Sequence, residues 1–358
     1  LKHTEHKKNR AFIKIIAWVF AVIAVSICIA LSLWSFVISP MTSVAEANTQ
    51  KVRIPSGMSI KAAGEELQSQ KLIRSADAFY LAARYRLFEH QKPFLLKSGV
   101  YTISSSMSLH EIYNLIQSGN QEYITVSIPE GLTMTKIATL LEDNGVCKKE
   151  DFLAACKSKD LLAEYSIPAE NFEGYLFPDT YYFTPGMDGK SIVRKMADTF
   201  SLRINTIASL KGASSQKLHD TIILASIVER EYRVASEAPL ISSVFTNRIK
   251  QHIGLYSCAT IEYIITEIQG RPHPERITYE DLKIDSQYNT YKWAGLPPGP
   301  ISNPGLVALN AAANPAKTNY YYFVLTDPAK GTHTFTTTFD THIAAENGYY
   351  TKQAAGKK

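Results

Sequence analysis

The residue whose type and position could do acid–base chemistry is Glu229. It closes the run His219-Asp-Thr-Ile-Ile-Leu-Ala-Ser-Ile-Val-Glu-Arg-Glu-Tyr232, in which Ile222, Leu224, Ala225 and Val228 give a helix an almost continuous apolar surface. A carboxyl emerging beside Ala225 and Ser226 loses water, and desolvation disfavours its charged form and raises its pKa. A carboxyl still protonated near neutral pH can hand its proton to a leaving oxygen, which is what breaking a glycosidic bond demands. Arg230 and Glu231 are expected to point round toward solvent. An ordinary boundary glutamate paired with Arg230, Arg233 or Arg248 fits the same helix, and the helix taken alone favours that plainer reading.

The other side chains able to do chemistry carry weaker signals. No CxxC or HExxH spacing suggests a metal, and His273 and His333 stand apart in sequence, so neither a metal nor a cofactor is expected. Cys28 lies in an apolar run, which leaves Cys147, Cys156 and Cys258 as an odd set. Cys147 and Cys156 either pair or are buried as small apolar residues. Cys258 has no obvious base near it in sequence. The aromatic block Phe172-Glu-Gly-Tyr-Leu-Phe-Pro-Asp-Thr-Tyr181 reads as a rigid loop or strand edge, able to wall a carbohydrate cleft or simply to fill a core.

The elements that must position these groups begin with a membrane anchor. Residues 15–38 carry no charged side chain and are long enough to cross about 30 Å of hydrocarbon at about 1.5 Å per residue. Lys2, Lys7, Lys8, Arg10 and Lys14, against Glu5, put +4 of the formal +5 charge before this run, so the positive-inside rule places that end in the cytoplasm and everything after Pro40 outside. Trp18 and Trp34 sit where interfacial anchors would. Ala45-Glu46-Ala47 resembles a signal-peptidase site, but signal h-regions run only about 7–15 residues, so a retained span is expected. The rest of the chain is almost neutral, which argues against nucleic acid as a partner.

Beyond the anchor the chain repeats itself. Val52-Arg-Ile-Pro-Ser-Gly-Met-Ser-Ile60 is echoed by Val126-Ser-Ile-Pro-Glu-Gly-Leu-Thr-Met134, and more loosely by Tyr101-Thr-Ile-Ser-Ser-Ser-Met-Ser-Leu109. Each reads as strand, turn and helix, with Ser59 and Thr133 placed as N-caps. The pattern resembles LysM-like modules, which hold N-acetylglucosamine-containing glycans in other proteins; a plain structural spacer fits equally. The expected architecture is α+β: a cytoplasmic basic tail (1–14), a transmembrane helix (15–38), a linker (39–50), a LysM-like α+β region (51–157), a catalytic α+β domain (165–350) and a C-terminal tail (351–358).

Downstream of Glu229 come Ser243-Val-Phe-Thr-Asn-Arg248, Leu255-Tyr-Ser-Cys-Ala-Thr260, Asp285-Ser-Gln-Tyr-Asn-Thr-Tyr291 and Gly295-Leu-Pro-Pro-Gly-Pro-Ile-Ser-Asn-Pro-Gly305. The last is too proline-rich for helix or central strand. Then follow Ala311-Ala-Ala-Asn-Pro-Ala316, Tyr320-Tyr-Tyr-Phe-Val324 and His333-Thr-Phe335. This ordered series resembles the endolytic murein transglycosylase family (MltG or YceG-like), from the anchor to about Tyr350. The resemblance implies a YceG-like catalytic domain that cuts peptidoglycan glycan strands between N-acetylmuramic acid (MurNAc) and N-acetylglucosamine (GlcNAc), leaving a 1,6-anhydro end. It carries the catalytic role onto Glu229, which would protonate the glycosidic oxygen and then accept the proton of the C6 hydroxyl as the ring closes. It also implies peptidoglycan synthases as partners and residence in the cytoplasmic (inner) membrane with the catalytic domain periplasmic.

On this resemblance Tyr256, Ser257, Thr260, Asn289, Tyr291 and Asn303 are expected to bind substrate or support its cleft, Leu296, Pro297 and Pro298 to shape a wall, and His333 to orient the acid or a sugar. Two departures stand out: Tyr256 where many relatives have Gln, and Tyr232 where Thr is common. Two other classes fit the same residues. A glycoside hydrolase would need a second carboxylate, such as Asp179 or Asp285, about 5–9.5 Å from Glu229. A glycan-binding scaffold would leave Glu229 structural.

Overall fold

The computed structural model describes residues 2–355, apart from 56, 89–92 and 120–121. Ser56 of the first repeat and the last three residues of the expected C-terminal tail lie outside the described residues. The chain divides into two compact units, 1–123 and 124–358. That boundary falls earlier than the expected 157/165, so the second copy of the repeat belongs to the unit that carries Glu229.

The first unit opens on helix α1 (Lys2–Ile38), in which the expected tail and span run on without a break. Its stretch Ile16–Ile38 has a mean hydropathy of 2.7 and none of it is buried, as a segment facing lipid requires. Trp34, Val37 and Ile38 at its end pack against the core of the unit. Arg74 fixes this end too, donating to the Pro40 carbonyl at 2.8 Å with its guanidinium over the Phe36 ring. Strand β1 (Thr49–Ile54) pairs antiparallel with β2 (Gly99–Ser104), and between them lie α2 (Ile60–Ser69) and α3 (Ala76–Tyr85); α4 (Leu109–Ser118) follows β2. The capping read from sequence is present. Ser59 Oγ accepts from Ala62 N–H at 3.1 Å, and Ser108 forms a full capping box with Glu111.

The second unit starts on the same plan. Strand β3 (Ile124–Ser127) pairs antiparallel with β4 (Thr180–Phe183), with α5 (Met134–Asp143), α6 (Lys149–Cys156) and α7 (Lys159–Glu164) between them. Thr133 caps α5, its Oγ1 accepting from Lys136 N–H at 3.3 Å. Next come α8 (Gly189–Ile204), α9 (Ser215–Val228), α10 (Ala238–Lys250), α11 (Cys258–Tyr263), α12 (Leu306–Ala313), the antiparallel pair β5 (Tyr322–Asp327) and β6 (Thr332–Thr336), and α13 (Phe339–Ala355). Helix α13 takes up most of the expected C-terminal tail. The aromatic block fills the core rather than a cleft wall: Phe172, Tyr175, Leu176, Phe177 and Tyr181 are buried. Cys147 and Cys156 are free thiols, the latter fully buried, so the small-apolar reading holds over the disulfide.

Helix α9 is the buried axis of this unit. Every residue from Ile222 to Val228 is buried, Ser226 included, and α12 packs along it. Each such aliphatic side chain contributes roughly 1.5–3 kcal/mol by leaving water. A polar residue in that face must be satisfied, and Ser226 meets the requirement by holding the proline-rich loop: its Oγ accepts from Ile301 N–H at 3.0 Å and its carbonyl from Ser302 Oγ at 3.0 Å. Gly174 completes the seat. At φ +86° its backbone lies so close to the loop that a Cβ would stand 2.6 Å from Pro300 and 2.7 Å from Ile222, which only glycine avoids.

The loop is then locked by Asn303. Its Oδ1 accepts from Gly174 and Leu176 N–H, both at 2.9 Å, while Nδ2 donates to the Leu132 carbonyl at 3.0 Å and to Glu173 Oε1 at 2.8 Å. Its own backbone pairs with Leu132 and Gly131. Glu173 also accepts from Met134 N–H at the start of α5. Burial pushes its carboxyl up to about 8 against those donors. Since this lies above the ordinary 4.5, the native state holds a proton that the unfolded chain releases, and stability falls as pH rises from about 5 to 8. In the full-length protein in detergent, Asn303→Ala is expected to lose about 3–5 kcal/mol by stranding buried polar groups. Glu173→Gln is expected to flatten the decline in thermal midpoint between pH 5 and 8; an unchanged decline would remove Glu173 from the account.

Candidate active site

Glu229 sits one residue past the end of α9, with its own N–H bonded back to the Ala225 carbonyl at 2.8 Å. Its carboxyl is held at both oxygens. Gly305 N–H, at the first residue before α12, donates to Oε2 at 2.9 Å, and Tyr232 Oη donates to Oε1 at 3.3 Å. The boundary-pair reading does not hold for Arg230, which is bonded to Glu262 at 2.8 Å, or for Arg248, whose bonds go to the Tyr321 and Leu255 carbonyls. Burial is the largest influence on the carboxyl and raises its pKa to about 7; the Glu130 charge adds to the rise, while the Gly305 amide, the Tyr232 hydroxyl and Arg230 oppose it. The result is an acid near half-protonation at neutral pH, poised to give a proton and to take one back.

Gly131, from the second repeat, comes up against this carboxyl: a Cβ there would touch Glu229 Cγ at 3.4 Å and Arg230 Cδ at 3.6 Å. Arg230 Nη1 also reaches the Gly131 carbonyl at 3.4 Å. The turn Pro129-Glu130-Gly131 is therefore part of the site, which its place in a repeat concealed. Glu231 does not point to solvent as expected. It turns inward, accepting from Ser257 Oγ at 2.5 Å, and burial raises its pKa, with the Ser257 hydrogen bond and the His333 charge opposing.

The remaining expected site residues separate into frame and lining. Asn289 is fully buried, its amide spent on the Leu282 and Ile284 carbonyls and its Oδ1 on the Tyr291 N–H. Asn303 is equally committed, so both support the cleft and offer no free atom to a ligand. Thr260 and Ser257 are buried, joined through Thr290. His333 is held by Glu237, Nδ1 to Oε2 at 2.7 Å, and has no hydrogen bond to Glu229. Leu296 packs on the core, Pro297 is buried and Pro298 is exposed. The Pro298 backbone is tied to the His219 ring, which Tyr175 Oη meets at Nδ1, 2.7 Å away.

Beside Glu231 opens a cavity of about 590 Å³ whose lining includes Arg248, Tyr256, Cys258, Tyr322 and His342. Arg248 lies against the Tyr256 and Tyr322 rings, at 5.6 and 5.3 Å. Tyr256, exposed and at φ +52°, also meets the Tyr291 ring at 5.6 Å. A bulky residue held in the left-handed region costs about 1–3 kcal/mol. Burial raises the Cys258 thiol pKa and its Sγ contacts Tyr291 Oη at 3.1 Å, so no base activates it. Asp179 and Asp285 are engaged by Arg203 and Lys292, respectively, not by Glu229. Among the described residues no three His, Cys, Asp or Glu side chains converge as metal ligands would.

A family model described as YceG-like matches residues 52–347. The chain belongs to the YceG-like family. It is 31% identical over 317 residues to a Bacillus subtilis protein named endolytic murein transglycosylase, covering 84% of this chain and 85% of that one. A Streptococcus pneumoniae protein of the same name is 29% identical over 308 residues, 78% of this chain and 55% of its own length. The fold matches a crystal structure of a yceG-like protein from Listeria monocytogenes with a TM-score of 0.55 at 30% identity, covering 84% of this chain and 99% of the other. The YceG-like match begins at β1 and ends in α13, so it takes in both compact units.

Within this YceG-like chain, Gly305 N–H, Tyr232 and Glu130 are the site groups that sequence reading missed. Gly305 was legible only as the end of a proline-rich block, although a Pro-Gly pair before a helix marks an amide free to donate. The titration of Glu229, followed by ¹³C NMR of labelled glutamate, is expected to centre near 7. Tyr232→Phe removes a donor that favours the anion, so the midpoint should rise by about half to one pH unit. A fall would mean the hydroxyl does not donate to Glu229.

Proposed function

We propose that this chain is a membrane-anchored peptidoglycan lytic transglycosylase that cuts inside glycan strands between MurNAc and GlcNAc and leaves a 1,6-anhydroMurNAc end. The observation that carries the reading is the half-buried Glu229 carboxyl, near half-protonation at neutral pH and held by an amide and a phenol rather than by a cation. Such a group protonates the leaving oxygen and is then a carboxylate able to receive a proton. The relatives named endolytic murein transglycosylase support the same activity.

The finer assignments rest on this one. The apolar stretch Ile16–Ile38 anchors the protein in the cytoplasmic membrane with everything after Pro40 outside, since the basic residues precede it. The first unit, with its capped strand-turn-helix copies, holds glycan as LysM-like modules do. The cavity of Tyr256, Arg248 and Glu231 receives a sugar away from the cut bond, where ring faces and fixed polar groups are the usual grip. Anchoring at the membrane places the cutter among newly made strands, so peptidoglycan synthases are natural partners.

Full-length protein in detergent is expected to release anhydro-ended fragments from sacculi, read by mass. Glu229→Gln should abolish this at an unchanged thermal midpoint; undiminished release would refute the assignment. Tyr256→Ala is expected to raise KM several-fold with kcat little changed, and a fall in kcat alone would move Tyr256 from strand binding to the chemistry.

A further inference from the structure

The two copies of the repeat differ at the residue before the turn glycine: Ser56 in the first, Glu130 in the second. The second copy is the one beside Glu229. Glu130 is exposed, yet its carboxylate lies against the backbone of Gly305, where a Cβ would stand 1.8 Å from Oε1 and 2.1 Å from Cδ. The same glycine gives its N–H to Glu229 Oε2 at 2.9 Å. With standard backbone bond lengths, the two carboxyl oxygens are within about 7 Å of each other. Acid and base carboxyls that flank a glycosidic bond stand about 5–9.5 Å apart. Asp179 and Asp285 are instead paired with Arg203 and Lys292.

We infer that Glu130 is a second catalytic residue: the base that takes the C6 hydroxyl proton while Glu229 serves as the acid. The inference rests on the transglycosylase reading above. The two carboxyls stand in different surroundings, Glu229 half-buried and Glu130 exposed, and such asymmetry divides acid from base. The groups facing them are Arg230, which lies against Gly131, Tyr232, whose hydroxyl binds Glu229, and the Gly305 amide.

The step balances. The Glu229 proton passes to the glycosidic oxygen as the bond from MurNAc C1 to that oxygen breaks, and the bond pair leaves with the oxygen, which becomes the 4-hydroxyl of the released GlcNAc. The C6 oxygen of MurNAc bonds to C1 and gives its proton to the Glu130 carboxylate. Glu229 ends as carboxylate and Glu130 as acid, and transfer of one proton between them, directly or through solvent, resets the site. Glycine at 305 is then required so that the Glu130 carboxylate can come close, while its amide, which any residue but proline would supply, reaches Glu229.

The test uses full-length protein in detergent with sacculi, comparing wild type, Glu130→Gln, Gly305→Ala and Glu229→Gln. Glu130→Gln, at an exposed position, is expected to fold normally and to lower kcat by about 10²- to 10⁴-fold with KM little changed. Gly305→Ala keeps the amide but displaces the Glu130 carboxylate, and should cause a kcat loss in the same direction. Wild-type kcat in Glu130→Gln would overturn the inference, as would a loss confined to KM. Those results leave the transglycosylase reading intact as long as Glu229→Gln is inactive. Full activity in Glu229→Gln would overturn both.

Discussion

The side-chain amide of Asn303 is the joint on which the second unit depends. Four hydrogen bonds from one planar group tie the proline-rich loop to the Gly174–Leu176 segment, to the carbonyl of Leu132 and to the buried Glu173. The neighbouring main chain is bound as well, to Ser226 Oγ through Ile301 N–H and to Gly131 and Leu132 through Asn303 itself. Two residues further on, Gly305 has no freedom left in where it puts its N–H. The position of the acid's hydrogen-bond donor is thus set by a polar core inside an otherwise apolar layer, where unmade bonds are costly and geometry is correspondingly exact.

What the sequence made legible was local. The apolar stretch, the capped helix starts at Ser59 and Thr133, and the buried face of α9 follow from period and residue type, and each stands where it was expected. The environment of Glu229 was legible in the same way, because the helix that desolvates it is its own. The remainder depends on contacts between distant segments. Nothing near Glu130 reveals that its turn meets a carboxyl 99 residues later, since the repeat groups that turn with the first copy instead. Asn289 and Asn303 look like ligands for sugar because asparagine amides in loops often are; only their bonding shows that every donor and acceptor is already used. Glu231 was sent outward by helical phase, but α9 ends at Val228 and the turn after it swings the carboxyl inward to Ser257.

The Arg248 guanidinium is the counterpart of this polar core on the other side of Glu231. Its nitrogens bind two backbone carbonyls, one from each side of the cavity, and two tyrosine rings close over it. A planar cation can brace a wall in this way where a lysine's point charge could not. Tyr256 keeps its backbone in the left-handed region against that brace.

Glu229 also lies where two helices meet with opposite poles. The C-terminal end of α9 carries partial negative charge and α12 begins at Gly305 with partial positive charge, so one end pushes the proton on while the other pulls it off. Proton affinity at this position is therefore an outcome of axial alignment. A slide of α12 along α9 by a fraction of a turn would retune the acid without altering any residue that touches it. Substitutions far down the shared face of these two helices, at Ala308 or Ala311 for example, could shift the working pH while leaving the cleft's surface unchanged.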